Sequence, residues 1–215
     1  MRIGCDLDGV LVCFNAAYVK RIIDVTGEDR VVRNTQGPCD GMRISQAVQM
    51  PHAYPNTWDY PEDTAGYTSA QILAVWNSIR NDVTFWQNLD PTNDAMRVLP
   101  VLDDLRHIGH EIVFISDRKG MRAKHQAEAW LQQYGIQIPT VILTSNKAIA
   151  LRLLCVDAYI DDKLEHVNAC CHDGFARVYI AVRPWNRETG VHADARYVTS
   201  VEDMLIREGL WPNMR

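Results

Sequence analysis

The sequence predicts an α/β protein: a Rossmann-like parallel sheet with helices on both faces and a small, mainly helical cap inserted after the first strand. Three observations predict it. Short apolar runs alternate with amphipathic stretches over most of the chain, the order that builds a parallel sheet with crossover helices. Runs such as "HEIVFIS" are apolar enough to be strands buried on both faces. The alternation breaks from about residue 15 to residue 90, where "GPCDGMRISQAVQMPHAYPNTWDYPEDTAGY" is rich in proline, glycine and aromatics.

Taken in order, Arg2–Leu7 reads as the first strand and Asn15–Val25 as a helix with Asn15 at its N-cap. Residues 15–90 form the expected cap, with a helix at Ser69–Asn81, and residues 1–14 and 91–215 form the core domain. Pro100 interrupts the helical pattern "NDAMRVLPVLDDLRHIG", so that helix is expected to kink or to begin late. Next come a strand at His110–Ser116, an amphipathic helix in "MRAKHQAEAWLQQYG" and a strand at Thr140–Thr144. A helix over Asn146–Leu154, a strand at Val156–Asp161, a helix at Leu164–Cys171 and a strand at Ala176–Val182 complete the pattern.

A chain of 215 residues, 47% apolar and 23% charged, has the proportions of a soluble enzyme or binding domain with room for one insertion. A net charge of −5 argues against long nucleic acids as partners. None of the six cysteines forms a C-x-x-C pair, and the adjacent Cys170, Cys171 and His172 lack a second ligand pair at zinc-finger spacing. This cysteine usage predicts a reducing cytoplasm. With no long apolar span and no signal segment, no membrane partner is expected.

In open α/β sheets, ligands sit beyond the carboxyl ends of the strands. Asp6 and Asp8 close the first strand, Ser116 the second, and Asp161 and Asp162 end "VDAYIDD"; Lys147 opens a helix after "TVILTSN". Each has an ordinary explanation alone: a turn for D-x-D and for paired aspartates, a helix cap for the serine, a surface position for the lysine. Lys147 is the least ordinary, because a cation in a helix's first turn opposes the macrodipole. Together they suit phosphoryl chemistry. Mg²⁺ takes carboxylates and phosphate oxygens, and one carboxylate can attack phosphorus while another carries the proton. A hydroxyl and an ammonium steady the phosphoryl oxygens.

"DLDGV", "FISDR", Lys147 and "YIDD" resemble the four motifs of the haloacid dehalogenase superfamily of phosphatases. The resemblance is closer to its 5'(3')-deoxyribonucleotidase branch. Val10 stands where most of the superfamily has Thr, and "FWQNLDPTNDAMRVL", "VILTSNKAIA", "DAYIDDK" and "RPWNR" are similar to segments found there in that order. The resemblance implies Asp6 as nucleophile and Asp8 as acid/base. Ser116, Asp117 and Lys147 are then the phosphate-binding set, and Asp6, Asp8 (through its main-chain carbonyl), Asp161 and Asp162 hold Mg²⁺. Relatives often carry Arg where this chain has Ser145, which bears on substrate preference.

The implied function is Mg²⁺-dependent hydrolysis of nucleoside (deoxy)monophosphates, with a small-molecule nucleotide as partner and a homodimer allowed, since similar enzymes are often dimers. Phe14, Phe85 and Trp86 are the expected substrate-binding aromatics, the last two beside the cap hinge at Asp90–Pro91 and able to stack a base. Tyr54, Trp58, Tyr60, Tyr67 and Trp76 are expected in the cap's own core. The alternatives are a phosphatase for nucleic-acid ends or sugar phosphates, and a catalytically silent nucleotide-binding protein.

Overall fold

The computed structural model describes residues 1–33, 39–49, 60–186 and 190–211. Six strands among them form one parallel sheet: β1 (Arg2–Cys5), β2 (Glu111–Ser116), β3 (Thr140–Leu143), β4 (Ala158–Asp161), β5 (Val178–Ala181) and β6 (Arg196–Val198), in the order β3-β2-β1-β4-β5-β6. β1 is central: Ile3 stands in register with Ile112 on one side and Ala158 on the other. The chain winds outward from β1 in both directions, so the carboxyl ends of β1 and β4 flank the switch point where such sheets open a crevice.

The pleat divides the core into two layers. Ile112 and Phe114 of β2, with Ile160 of β4 and Tyr179 of β5, pack against α5 (Ala95–His107), α6 (Ala123–Gln133) and α9 (Val201–Arg207). Val113, Ile115, Tyr159 and Val178 face the other way, onto α7 (Lys147–Leu153) and α8 (Leu164–His172). Successive strand residues point to opposite faces, so strands covered on both sides read as unbroken apolar runs. This is the fold class expected from the sequence.

Among the described residues between β1 and α5 lie four α-helices: α1 (Phe14–Thr26), the one-turn α2 (Ile44–Ala47) and α3 (Tyr60–Asp63), and α4 (Ser69–Asn81). α4 begins where the sequence places it because Thr68 and Gln71 form a capping box, Gln71 N–H donating to Thr68 Oγ1 at 3.2 Å and Thr68 N–H to Gln71 Oε1 at 3.0 Å. Tyr54 and Trp58 lie outside the described residues.

Two expectations about elements are changed by the structure, and two elements are added to them. Asn15 is not a cap: α1 starts at Phe14, and Cys13 precedes it without a side-chain cap bond. The aromatics Phe14 and Tyr18 pack inward, and that burial overrides the local capping preference. Of the two outcomes expected at Pro100, the late start does not occur: α5 runs through the exposed proline. β6 and α9, which the sequence reading did not predict, extend the sheet and cover its end.

Candidate active site

β1 carries Asp6 to its tip, where Asp6 N–H donates to Ile160 O at 3.0 Å and continues the pairing with β4. The chain then turns sharply through Gly9, at φ +78°. A Cβ there would stand 2.1 Å from Asp162 Oδ2, so only glycine lets the β1 loop lie against the β4 tip. Arg183 fastens this loop from the β5 side, donating from Nε to Gly9 O at 2.6 Å and from Nη1 to Thr199 O at 3.0 Å.

Lys147 opens α7, and the Asn146 side chain caps that helix by accepting from Ile149 N–H at 3.2 Å. The buried Lys147 ammonium lies 2.7 Å from Asp6 Oδ1 and 2.8 Å from Asp161 Oδ2. Asp161 is fully engaged. Its Oδ2 also accepts from the Tyr159 hydroxyl and contacts His166 Nδ1 at 3.2 Å, and its Oδ1 accepts from Lys163 N–H at 2.8 Å. Asp162 accepts from Trp185 Nε1 at 2.9 Å, and Asn186 Nδ2 donates to its carbonyl at 2.7 Å.

Three buried carboxylates thus face one ammonium. Burial works against the charge on Lys147, but Asp161 and Asp6 outweigh it and hold the ammonium charged. Burial works against Asp161 too, yet Lys147 and His166 keep its carboxyl below the usual range. Burial pushes Asp6 well up against the pull of Lys147, with Asp161, Asp162 and Asp8 adding to the rise. Asp162 is pushed up to about 8 by burial and by the charge on Asp161. The cluster is short of positive charge.

That shortage fits a metal. Asp6, Asp161 and Asp162 each offer an oxygen within 4.8 Å of the others, and a hard divalent cation takes carboxylate oxygens. Among the described residues, Asp6 Oδ2 and Asp162 Oδ1 have no hydrogen-bond donor, whereas Asp161 has spent both oxygens. Asp6 and Asp162 are therefore the ligands with capacity, and Asp161 chiefly positions Lys147. The Asp8 carboxylate lies outside this cluster.

Asp8 instead meets Arg118, a residue the sequence reading did not single out. The guanidinium pairs side-on, Nε to Oδ2 at 2.9 Å and Nη2 to Oδ1 at 2.8 Å, and Ser116 Oγ lies 3.3 Å from Asp8 Oδ2. The Arg118 side chain is wholly buried, stands over the Trp86 ring at 5.0 Å, and leaves Nη1 without a partner. Asp6, Asp8, Ser116, Asp117, Arg118, Lys147, Asp162 and His166 line one cavity of about 290 Å³. Asp117 stands beside Lys119 at its mouth, 3.5 Å away.

The aromatics arrange themselves differently from the expectation. Phe14 and Trp86 line the cavity, but Phe85 does not; it packs edge-on to Trp86 at 5.0 Å, beneath the Arg21 guanidinium. Phe14 stacks on Trp86 at 5.6 Å and on Trp76 at 5.9 Å. At 4%, 7% and 3% exposure, Phe14, Phe85 and Trp86 present almost no ring surface to a ligand. Trp76, expected in the core from its place in the α4 periodicity, is half-buried and lines the cavity. The helical pattern identifies the buried stripe of α4 but not which residue stands at its edge.

No family model matches the sequence, and no curated relative matches it. Solved structures do match. A candidate beta-phosphoglucomutase from Thermotoga maritima is 12% identical with a TM-score of 0.54, over 97% of this chain and 98% of that one. L-2-haloacid dehalogenase from Xanthobacter autotrophicus, with chloropropionic acid covalently bound, is 14% identical with a TM-score of 0.54, over 100% and 99%. A hydrolase from Pseudomonas syringae is 12% identical with a TM-score of 0.54, over 99% and 100%. The fold is theirs. At such identities the likeness is one of architecture, and the chemistry must be argued from the residues.

Proposed function

We propose that the protein is a Mg²⁺-dependent phosphomonoesterase acting on nucleoside (deoxy)monophosphates through an aspartyl-phosphate, with residues 15–90 as a cap over the site. One observation carries the reading: Lys147 bridging Asp6 and Asp161 at the tips of β1 and β4, in the same cavity as Asp8 and Ser116. Asp6 and Asp162 would hold the metal, which when bound would neutralise carboxylate and phosphoryl charge.

In the first half-reaction an Asp6 oxygen attacks phosphorus and the ester P–O bond breaks. The departing oxygen keeps the bonding pair and takes a proton from Asp8. In the second, Asp8 takes a proton from water as the water oxygen attacks phosphorus, releasing inorganic phosphate and restoring the Asp6 carboxylate. The Ser116 hydroxyl and the Lys147 ammonium steady the phosphoryl oxygens. Asp8 must turn at least partly from Arg118 to reach the ester oxygen, since that pair occupies both its oxygens. Trp76, half-buried in the cavity wall, replaces Phe85 as the surface for a base.

Phosphate release from a panel of nucleotides, sugar phosphates and an aryl phosphate, with Mg²⁺ and with EDTA, tests the proposal. Metal-dependent release, strongest with nucleotides, is the expected result. A panel without any hydrolysis would reject it.

A further inference from the structure

Helix α4 contributes two side chains to the cavity that the chemistry above leaves largely unused, Trp76 and Arg80. Four residues apart, they lie on one face of the helix, a turn from each other. Trp76 is the lining aromatic with ring surface to offer. Arg80 is half-buried, donates from Nη1 to Asn77 Oδ1 at 3.3 Å, and pairs with no carboxylate among the described residues. Its neighbours differ: Lys147 is paired with Asp6, Arg118 with Asp8 and Lys119 with Asp117. A partly desolvated guanidinium without a counter-charge suits an oxyanion, which it can grip through two N–H groups.

The backbone of Arg80 is held in place. Met121 N–H donates to Arg80 O at 2.7 Å, and Gly120, at φ +122°, comes so close that a Cβ would stand 2.5 Å from Arg80 O and 2.6 Å from its Cα. The C-terminal end of α4 is thereby tied to the loop that carries Ser116, Asp117 and Arg118. A ligand held at Ser116 and Lys147 would meet Trp76 and Arg80 in the same cavity.

We propose that Trp76 and Arg80 form a second subsite, for an aromatic base and a further phosphate, so that the preferred substrate is a nucleoside bearing two phosphates. This deepens the phosphatase reading and rests on it for the reaction. Adenosine 5'-monophosphate and adenosine 3',5'-bisphosphate differ by the one group that Arg80 would hold. In wild type, kcat/KM for the bisphosphate is expected to exceed that for the monophosphate by about tenfold, the scale of one charge-assisted contact, with the gain in KM. Arg80→Gln should bring the two within about twofold. Trp76→Ala should bring the monophosphate close to ribose 5-phosphate. Ratios within one variant cancel any general loss of activity. Calorimetry on the Asp6→Asn protein with Mg²⁺ reads the same ratio as affinities without turnover. Equal affinities there, or a ratio that survives Arg80→Gln, would overturn the subsite. A wild type that hydrolyses no phosphomonoester yet binds the bisphosphate more tightly would overturn the phosphatase reading and leave the subsite standing.

Discussion

Burial and neighbouring charge raise the carboxyls of Asp6 and Asp162, the latter to about 8. A divalent cation favours the ionised carboxylates, so Mg²⁺ binding at pH 7 should release protons, Asp162 contributing up to about one. Calorimetry in buffers of different ionisation enthalpy measures the release, and uptake or no change would contradict the assignment. Asp6→Asn should lower kcat by more than about a thousandfold while circular dichroism stays native, because an amide cannot attack phosphorus. Arg118→Lys keeps the charge but not the side-on fork, and kcat should fall by up to about a hundredfold as Asp8 loses its orientation. Unchanged kcat would make Arg118 a structural counter-ion. Arg118 was hard to find in the sequence. A cation two places after a strand reads as solvated, and only the folded chain shows its side chain wholly buried against Asp8.

At the scale of elements, the tips of β1 and β4 are packed together by what Gly9 lacks. Gly9→Ala should cost about 1–3 kcal/mol of stability and raise the Mg²⁺ needed for half-maximal rate, since the new methyl displaces Asp162. Denaturant unfolding and a metal titration separate the two effects. The parallel sheet and the places of its first five strands along the chain were legible because buried strands and amphipathic helices differ in period and length. The tips were legible because carboxylates ending apolar runs conflict with burial. The aromatic lining was not: Phe85 and Trp86 sit side by side in sequence, yet Trp86 lines the cavity and Phe85 lies behind it. Sequence proximity to a hinge says nothing about which way a ring points within a single 3₁₀ turn. β6 escaped notice because three residues, two of them exposed, carry no periodic signal.

For the whole molecule, the raised Asp162 carboxyl links stability to pH. The folded state keeps a proton that the unfolded state gives up near 4, so between about 4 and about 8 this group lowers stability as pH rises. In EDTA the melting temperature should fall across that window, and saturating Mg²⁺ should raise it and flatten the slope, because a ligand bound to the native state alone adds stability. A pH dependence unaltered by Mg²⁺ would separate the acidic cluster from metal binding. The central place of β1 has a consequence for biosynthesis. Ile3 leaves the ribosome well before its partner Ala158, and Asp6 well before the ammonium that neutralises it, each by more than a hundred residues. Until they emerge, the growing chain carries an open strand edge beside two uncompensated aspartates. Fragments released before β4 should therefore be caught by chaperones or aggregate, and the proposed activity should appear all at once, late in synthesis.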